Sequence, residues 1–257
     1  MSDPNQRVTK AERKEQARRE REQIRAQMQR RKRNRTIGTV LVALALAATV
    51  VGFLLLPGTD DGVDLPGPQA LVDAAPDAAV AASCEEVRTV EPYGTDDQTH
   101  IGGAGFATLP DLSTYPSVPP TSGPHDGGGT LPAGIYDSPP PMGLLLHSLE
   151  HGGVVVWYDP GAPAAEIARI KDFYGQRIGD VAAGQDRVIV APYDYPADDG
   201  AGSLPAGARM ALVAWHRLQT CADVSLEVAL DFTSRFGFPT ALDREWEGEA
   251  PEAGAAM

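Results

Sequence analysis

Cysteine is nearly absent from this chain, with two in 257 residues, and neither belongs to a Cys-x-x-Cys pair. The sequence also has no Walker phosphate loop, no dinucleotide fingerprint and no internal repeat, which removes dithiol exchange, those two modes of nucleotide binding and solenoid folds from consideration. Ser122 and Ser148 lie near histidines, but neither sits in the Gly-x-Ser-x-Gly elbow that exposes a nucleophile.

Basic residues are scarce beyond residue 36. Residues 1–36 hold 13 of the 22 Lys and Arg against 5 of the 35 acids, a net +8, and the remainder holds 9 against 30, a net −21. Between the two parts, residues 37–56 read "IGTVLVALALAATVVGFLLL", twenty positions without a charge. At ~1.5 Å per residue a helix of this length spans roughly 30 Å, the hydrocarbon thickness of a bilayer. A secretory signal has a shorter apolar core and a small-x-small exit, whereas this run leaves into "PGTDDGVDLP", so an uncleaved transmembrane helix is expected. The flank "RRKRNR" at 30–35 keeps residues 1–36 cytoplasmic by the positive-inside bias and puts the C-terminal part outside. That topology accounts for the arginines without a nucleic-acid partner. The expected location is the cell membrane, single-pass, with an envelope protein as an open possibility for a partner.

Cys84 and Cys221 both fall on the outer side, where thiols oxidise, so a disulfide is expected, with two unpaired buried thiols as the alternative. Such a bridge contributes about 4–5 kcal/mol in the chain-entropy account. Residues 57–82, rich in Pro, Gly, Asp and Ala, read as a flexible linker, and 241–257 as a disordered tail. The folded unit is then 83–240.

Within it, "GVVVWY" at 153–158, "RVIVAPY" at 187–193 and 208–221 read as strands. Ile167, Ile170, Phe173, Tyr174 and Ile178 recur at helical spacing between the first two, and Leu226, Ala229, Leu230 and Phe236 do so after the third. The expected class is α+β, a small mixed sheet with two flanking helices and a long Gly/Pro-rich loop region over 100–143.

All five histidines lie beyond the apolar run. His147 and His151 occur in "LLLHSLEHGGVVVWYDP", residues 144–160, and at i and i+4 of a helical turn they share a side, as a metal grip requires. His125 in "PPTSGPH" is the preferred third ligand, Glu150 a ligand or an outer-shell partner, and His100 and Met142 weaker candidates. A copper or zinc ion is the implied cofactor. His216, beside Trp215, reads as a hydrogen-bonded core histidine. The same stretch matches the His-x-x-Glu-His signature of inverted zinc metallopeptidases, with Glu150 as base and Glu227 as distant ligand, but Gly152 and Gly153 end the helix that this class needs. A hydrogen-bonded turn in a structural or partner-binding ectodomain is the other reading.

"PPTSGPH" at 119–125, "GIY" at 134–136 and "LLHSLEHGGVVVWYDP" at 145–160 together resemble the hallmark pattern of the domain-of-unknown-function family 3105 of bacterial membrane-anchored proteins. The resemblance spans about 83–220. It implies an N-terminal anchor and an extracytoplasmic domain, and it implies no activity. It does suggest that the two His-bearing stretches act together.

Overall fold

Valine and isoleucine crowd the centre of the chain because they line a sheet covered on both faces. The computed structural model describes residues 67–101, 108–177, 187–197 and 200–257. The apolar run 37–56 and the basic arm before it lie outside the described residues, and among those described no helix is long and apolar enough to cross a membrane.

The elements are α1 (Pro68–Ala81), β1 (Arg88–Thr89), β2 (His100–Ile101), β3 (His125–Asp126), β4 (Gly134–Ile135), α2 (Met142–Glu150), β5 (Val154–Tyr158), α3 (Ala164–Gly175), β6 (Val188–Pro192), β7 (Met210–Ala214), β8 (Arg217–Cys221) and α4 (Leu226–Phe236). Two short 3-10 turns lie at Gly94–Asp96, before the loop region, and at Leu112–Thr114, within it. The class is α+β, with a mixed six-stranded sheet in the order β1-β8-β7-β5-β6-β4. β5 runs parallel to β6 and antiparallel to β7, and β6 is parallel to β4.

Alternation along the strands sends side chains to opposite faces. Val154, Val156, Tyr158, Val188, Val190 and Leu212 join a core with Phe173 of α3 and Leu230 and Phe232 of α4. Val155, Trp157, Ile189, Ala191 and Val213 join a second core with Leu145, Leu146 and Leu149 of α2. Each fully buried Leu or Phe contributes about 1.5–3 kcal/mol of transfer free energy. Burial on both faces is why β5 reads as an unbroken apolar run.

Three expectations change. Residues 68–81, expected within the linker, form α1, which buries Leu71 and Val72 in the first core, and Ala75 beside them in the chain, despite Pro76 inside the helix. Pro68 at the first helical turn costs no hydrogen bond there, and alanine supplies most of the helix propensity. The span 208–221 is a hairpin rather than one strand, because His216 takes φ 54° and turns the chain between β7 and β8. The segment after 240, expected to be disordered, folds back: Ala250 is buried, and the Glu252 N–H donates to the Glu150 carbonyl at 3.0 Å.

Cys84 and Cys221 are disulfide-bonded, with their Cα atoms 3.9 Å apart. The bond ties the chain just beyond α1 to the end of β8.

Candidate metal centre

The site begins with a two-residue parallel ladder. β2 pairs with β3 so that His100 stands opposite His125, and the His125 N–H donates to the Thr99 carbonyl at 3.0 Å. In register, the two imidazoles lie side by side, with ring centroids 4.8 Å apart. α2 lies against this ladder and adds His147, whose ring is 5.0 Å from that of His100 and 5.1 Å from that of His125.

α2 stops where its glycines dictate. Gly152 takes φ 93°, its N–H donates to the Leu149 carbonyl at 3.0 Å, and the Gly153 N–H donates to the Ser148 carbonyl at 2.8 Å. These are the two bonds of a Schellman cap, which needs a residue free to adopt positive φ. Glu150 and His151 therefore occupy the end of the helix. At about 100° per residue, Glu150 lies roughly 60° to one side of His147 and His151 roughly 40° to the other. That phase divides the sequence-predicted ligands. Glu150 joins His100, His125 and His147, all four offering a ligand atom within 4.8 Å of one another, while His151 groups with His147 and Glu252.

The expected trio of His125, His147 and His151 is thus redistributed. His100, ranked below them on sequence, enters the main cluster, and His151 leaves it. Met142 belongs to the apolar cluster with Leu145 and Leu146. Glu227 is bonded to Arg169 and Ser225, so it is no third ligand to the His-x-x-Glu-His signature. Ser122 donates to Asp97 at 2.6 Å and Ser148 donates to backbone carbonyls of Leu144 and Leu131, so both are engaged in holding loops.

Backbone carbonyls orient the rings. His125 Nδ1 is 2.8 Å from the Gly123 carbonyl, and His147 Nδ1 is 2.9 Å from the Asp126 carbonyl and 3.0 Å from that of Gly129. A carbonyl only accepts, so in the neutral form of each ring Nδ1 carries the proton and Nε2 offers the lone pair. Burial, and then the neighbouring His125 and His151, hold His147 below the ordinary imidazole value against the pull of those two carbonyls. At neutral pH the ring is uncharged, the form in which it can ligate a metal.

Glu150 is 2 % exposed and His125 fully buried, and Glu150 Oε2 lies 2.9 Å from His125 Nε2 and 3.6 Å from His100 Nε2. Neither Glu150 Oε2 nor His125 Nε2 has a hydrogen-bond partner of acceptable direction. A buried carboxylate left so is costly. Ligand atoms about 3 Å apart are what bonds of about 2.0–2.2 Å to one shared cation produce. With three imidazole nitrogens and one carboxylate oxygen, the group can hold a first-row divalent metal.

Gly127 sets the position of His100. A Cβ at 127 would meet His100 Cγ at 2.7 Å and Cβ at 2.9 Å. Gly127→Ala is expected to displace the His100 ring and weaken metal binding by about 10–100-fold, the loss typical of disturbed ligand orientation. Isothermal titration with zinc checks it.

His216 lies outside this cluster and is not a strand-core residue. Its Nε2 is 2.7 Å from Asp97 Oδ2, its Nδ1 is 3.3 Å from Glu249 Oε1, and Asp97 also accepts from Ser122 and the Tyr93 N–H. This network pins the loop before His100 to the β7–β8 turn. Burial disfavours the charged imidazole, but the bond and charge of Asp97, with Glu249, outweigh it and raise His216 above 6.5. Burial likewise opposes the Asp97 carboxylate, and its bonds from His216, Ser122 and Tyr93 hold it below 3.8. The His216 contribution is complete below pH 6.5 and fades as pH rises through its folded value; the Asp97 contribution is complete above pH 3.8 and fades as pH falls through its own. Relative to His216→Asn, which tolerates the positive φ, the wild-type melting temperature is expected to decline as pH rises from 6 to 9.

The family described as protein of unknown function DUF3105 matches residues 111–247, more than half of the chain. No curated protein and no solved structure matches it. The chain belongs to the DUF3105 family, as its His-bearing motifs suggest.

Proposed function

We propose that this member of the DUF3105 family is a single-pass membrane protein whose extracytoplasmic domain binds one divalent transition metal, zinc or copper, through His100, His125, His147 and Glu150. The observation that carries the metal reading is the buried pair of His125 Nε2 and Glu150 Oε2, 2.9 Å apart without a directed hydrogen bond. The ring nitrogens turned away from the cluster are already engaged with carbonyls on His125 and His147, which supports ligation through Nε2. Glu150 acts here as a ligand, so its carboxylate is not a free base for hydrolysis.

The uncharged run 37–56 and the arginines before it support the anchor and its orientation. A disulfide between Cys84 and Cys221 suits an oxidising compartment. The test is the metal content of the full chain isolated from membranes, with protease protection on intact spheroplasts. One equivalent of zinc or copper and digestion of the domain from outside are expected. Metal-free protein, reconstituted with neither ion, would remove the metal assignment, and a protected domain would remove the orientation.

A further inference from the structure

A second group of ligands lies beside the first. His151 Nδ1 is 2.7 Å from the Ala256 carbonyl, so in the neutral ring Nε2 is the nitrogen that offers a lone pair. That Nε2 is 3.1 Å from Glu252 Oε2, yet it too is buried without a directed hydrogen bond, on a residue only 8 % exposed. His147 and His151 have ring centroids 4.5 Å apart. Glu252 is half exposed, and its backbone is held against the end of α2 by the bond to the Glu150 carbonyl.

Resting on the metal reading above, we infer that His147, His151 and Glu252 form an outer metal site through which the ion passes to and from the inner one. His147 belongs to both groups. Its Nδ1 proton is given to two carbonyls, so Nε2 alone can ligate, and one lone pair serves one ion at a time. The two sites are therefore alternatives. An ion captured by the exposed carboxylate binds His151 and His147, then exchanges Glu252 and His151 for Glu150, His125 and His100 without leaving His147. A carboxylate at the rim attracts cations and speeds encounter, while the inner ligands set the final affinity.

His100 has 47 % of its side chain exposed and offers a competing route. Stopped-flow uptake of Co(II) by the chelator-treated full chain in detergent, and its release to excess chelator, separate the two. Glu252→Gln, a surface change, and His151→Gln are expected to bind one Co(II) per chain as wild type does, with loading and release both slowed about tenfold or more. Wild-type rates in both variants would overturn the outer site and leave the inner one standing. Two Co(II) per chain at saturation would overturn the shared His147, and loss of equilibrium binding in the variants would make His151 and Glu252 primary ligands. A wild-type chain that takes up no Co(II) would remove the inner site, and this inference with it.

Discussion

Replacing Cys84 and Cys221 together by alanine is expected to lower the stability of the domain by about 5 kcal/mol, since the bond closes a loop with a sequence separation of 137. A loop of that size ranks among the most effective at restricting the unfolded chain in the entropy account. Domains of this size are stable by roughly 5–15 kcal/mol in total, so the loss is a large share. At about 2–4 °C per kcal/mol the melting temperature should fall by roughly 10–20 °C. The effect is also local. α1 packs on the first core through few large side chains, and the bond fastens its C-terminal end. Amide exchange in 68–81 should therefore rise more than in β5 or β6. A change in urea-unfolding free energy below about 1 kcal/mol would mean that packing alone holds the ends of the domain together.

The second large effect concerns the histidines. His125→Ala is expected to weaken metal binding by more than about 100-fold, beyond what disturbing an outer-shell partner costs. His125 is the most buried of the imidazoles, and it faces the Glu150 carboxylate directly. A metal present at about 1,000 times its dissociation constant adds roughly 4 kcal/mol to folding stability. Chelation should therefore lower the wild-type melting temperature clearly and leave that of His125→Ala unchanged. If the cluster were only a hydrogen-bonded turn, His125→Ala would destabilise the domain and chelator would move neither protein.

How much of this was legible in the sequence depends on whether local pattern or distant packing decides. β5 and β6 are legible as short β-branched apolar runs bounded by turn residues, and α3 and α4 because their apolar residues recur with the helical period. The second core face is less so, since a strand buried on both sides shows no alternation. α1 is not legible: "PQALVDAAPDAAVA" has three buried positions and an internal proline, and its packing against α4 is a distant contact that local pattern does not announce. The final segment is acidic and rich in Ala. It is ordered by Trp246, whose Nε1 donates to the Phe236 carbonyl at 3.1 Å, and by its bonds to α2.

The site was legible in its parts and not in its grouping. The His125 and His147 motifs announce themselves, but the choice between His100 and His151 rests on two things that spacing does not reveal. One is the β2–β3 register, a two-residue pairing too short to leave a pattern. The other is the angular position of Glu150 and His151 either side of His147 at a helix end. The role of Glu252 had no local signal, because its separation from His151 spans the whole second half of the fold.

The central claim is that three imidazoles and one carboxylate share a single ion. Its most direct measurement is a Co(II) titration of the chelator-treated full chain, read by d–d absorption, for wild type and for the double change His125→Ala, His147→Ala. Saturation at one Co(II) per wild-type chain, with no saturable binding in the double variant, is the expected result. A wild type that takes up no Co(II), or a variant that takes it up equally well, would contradict it.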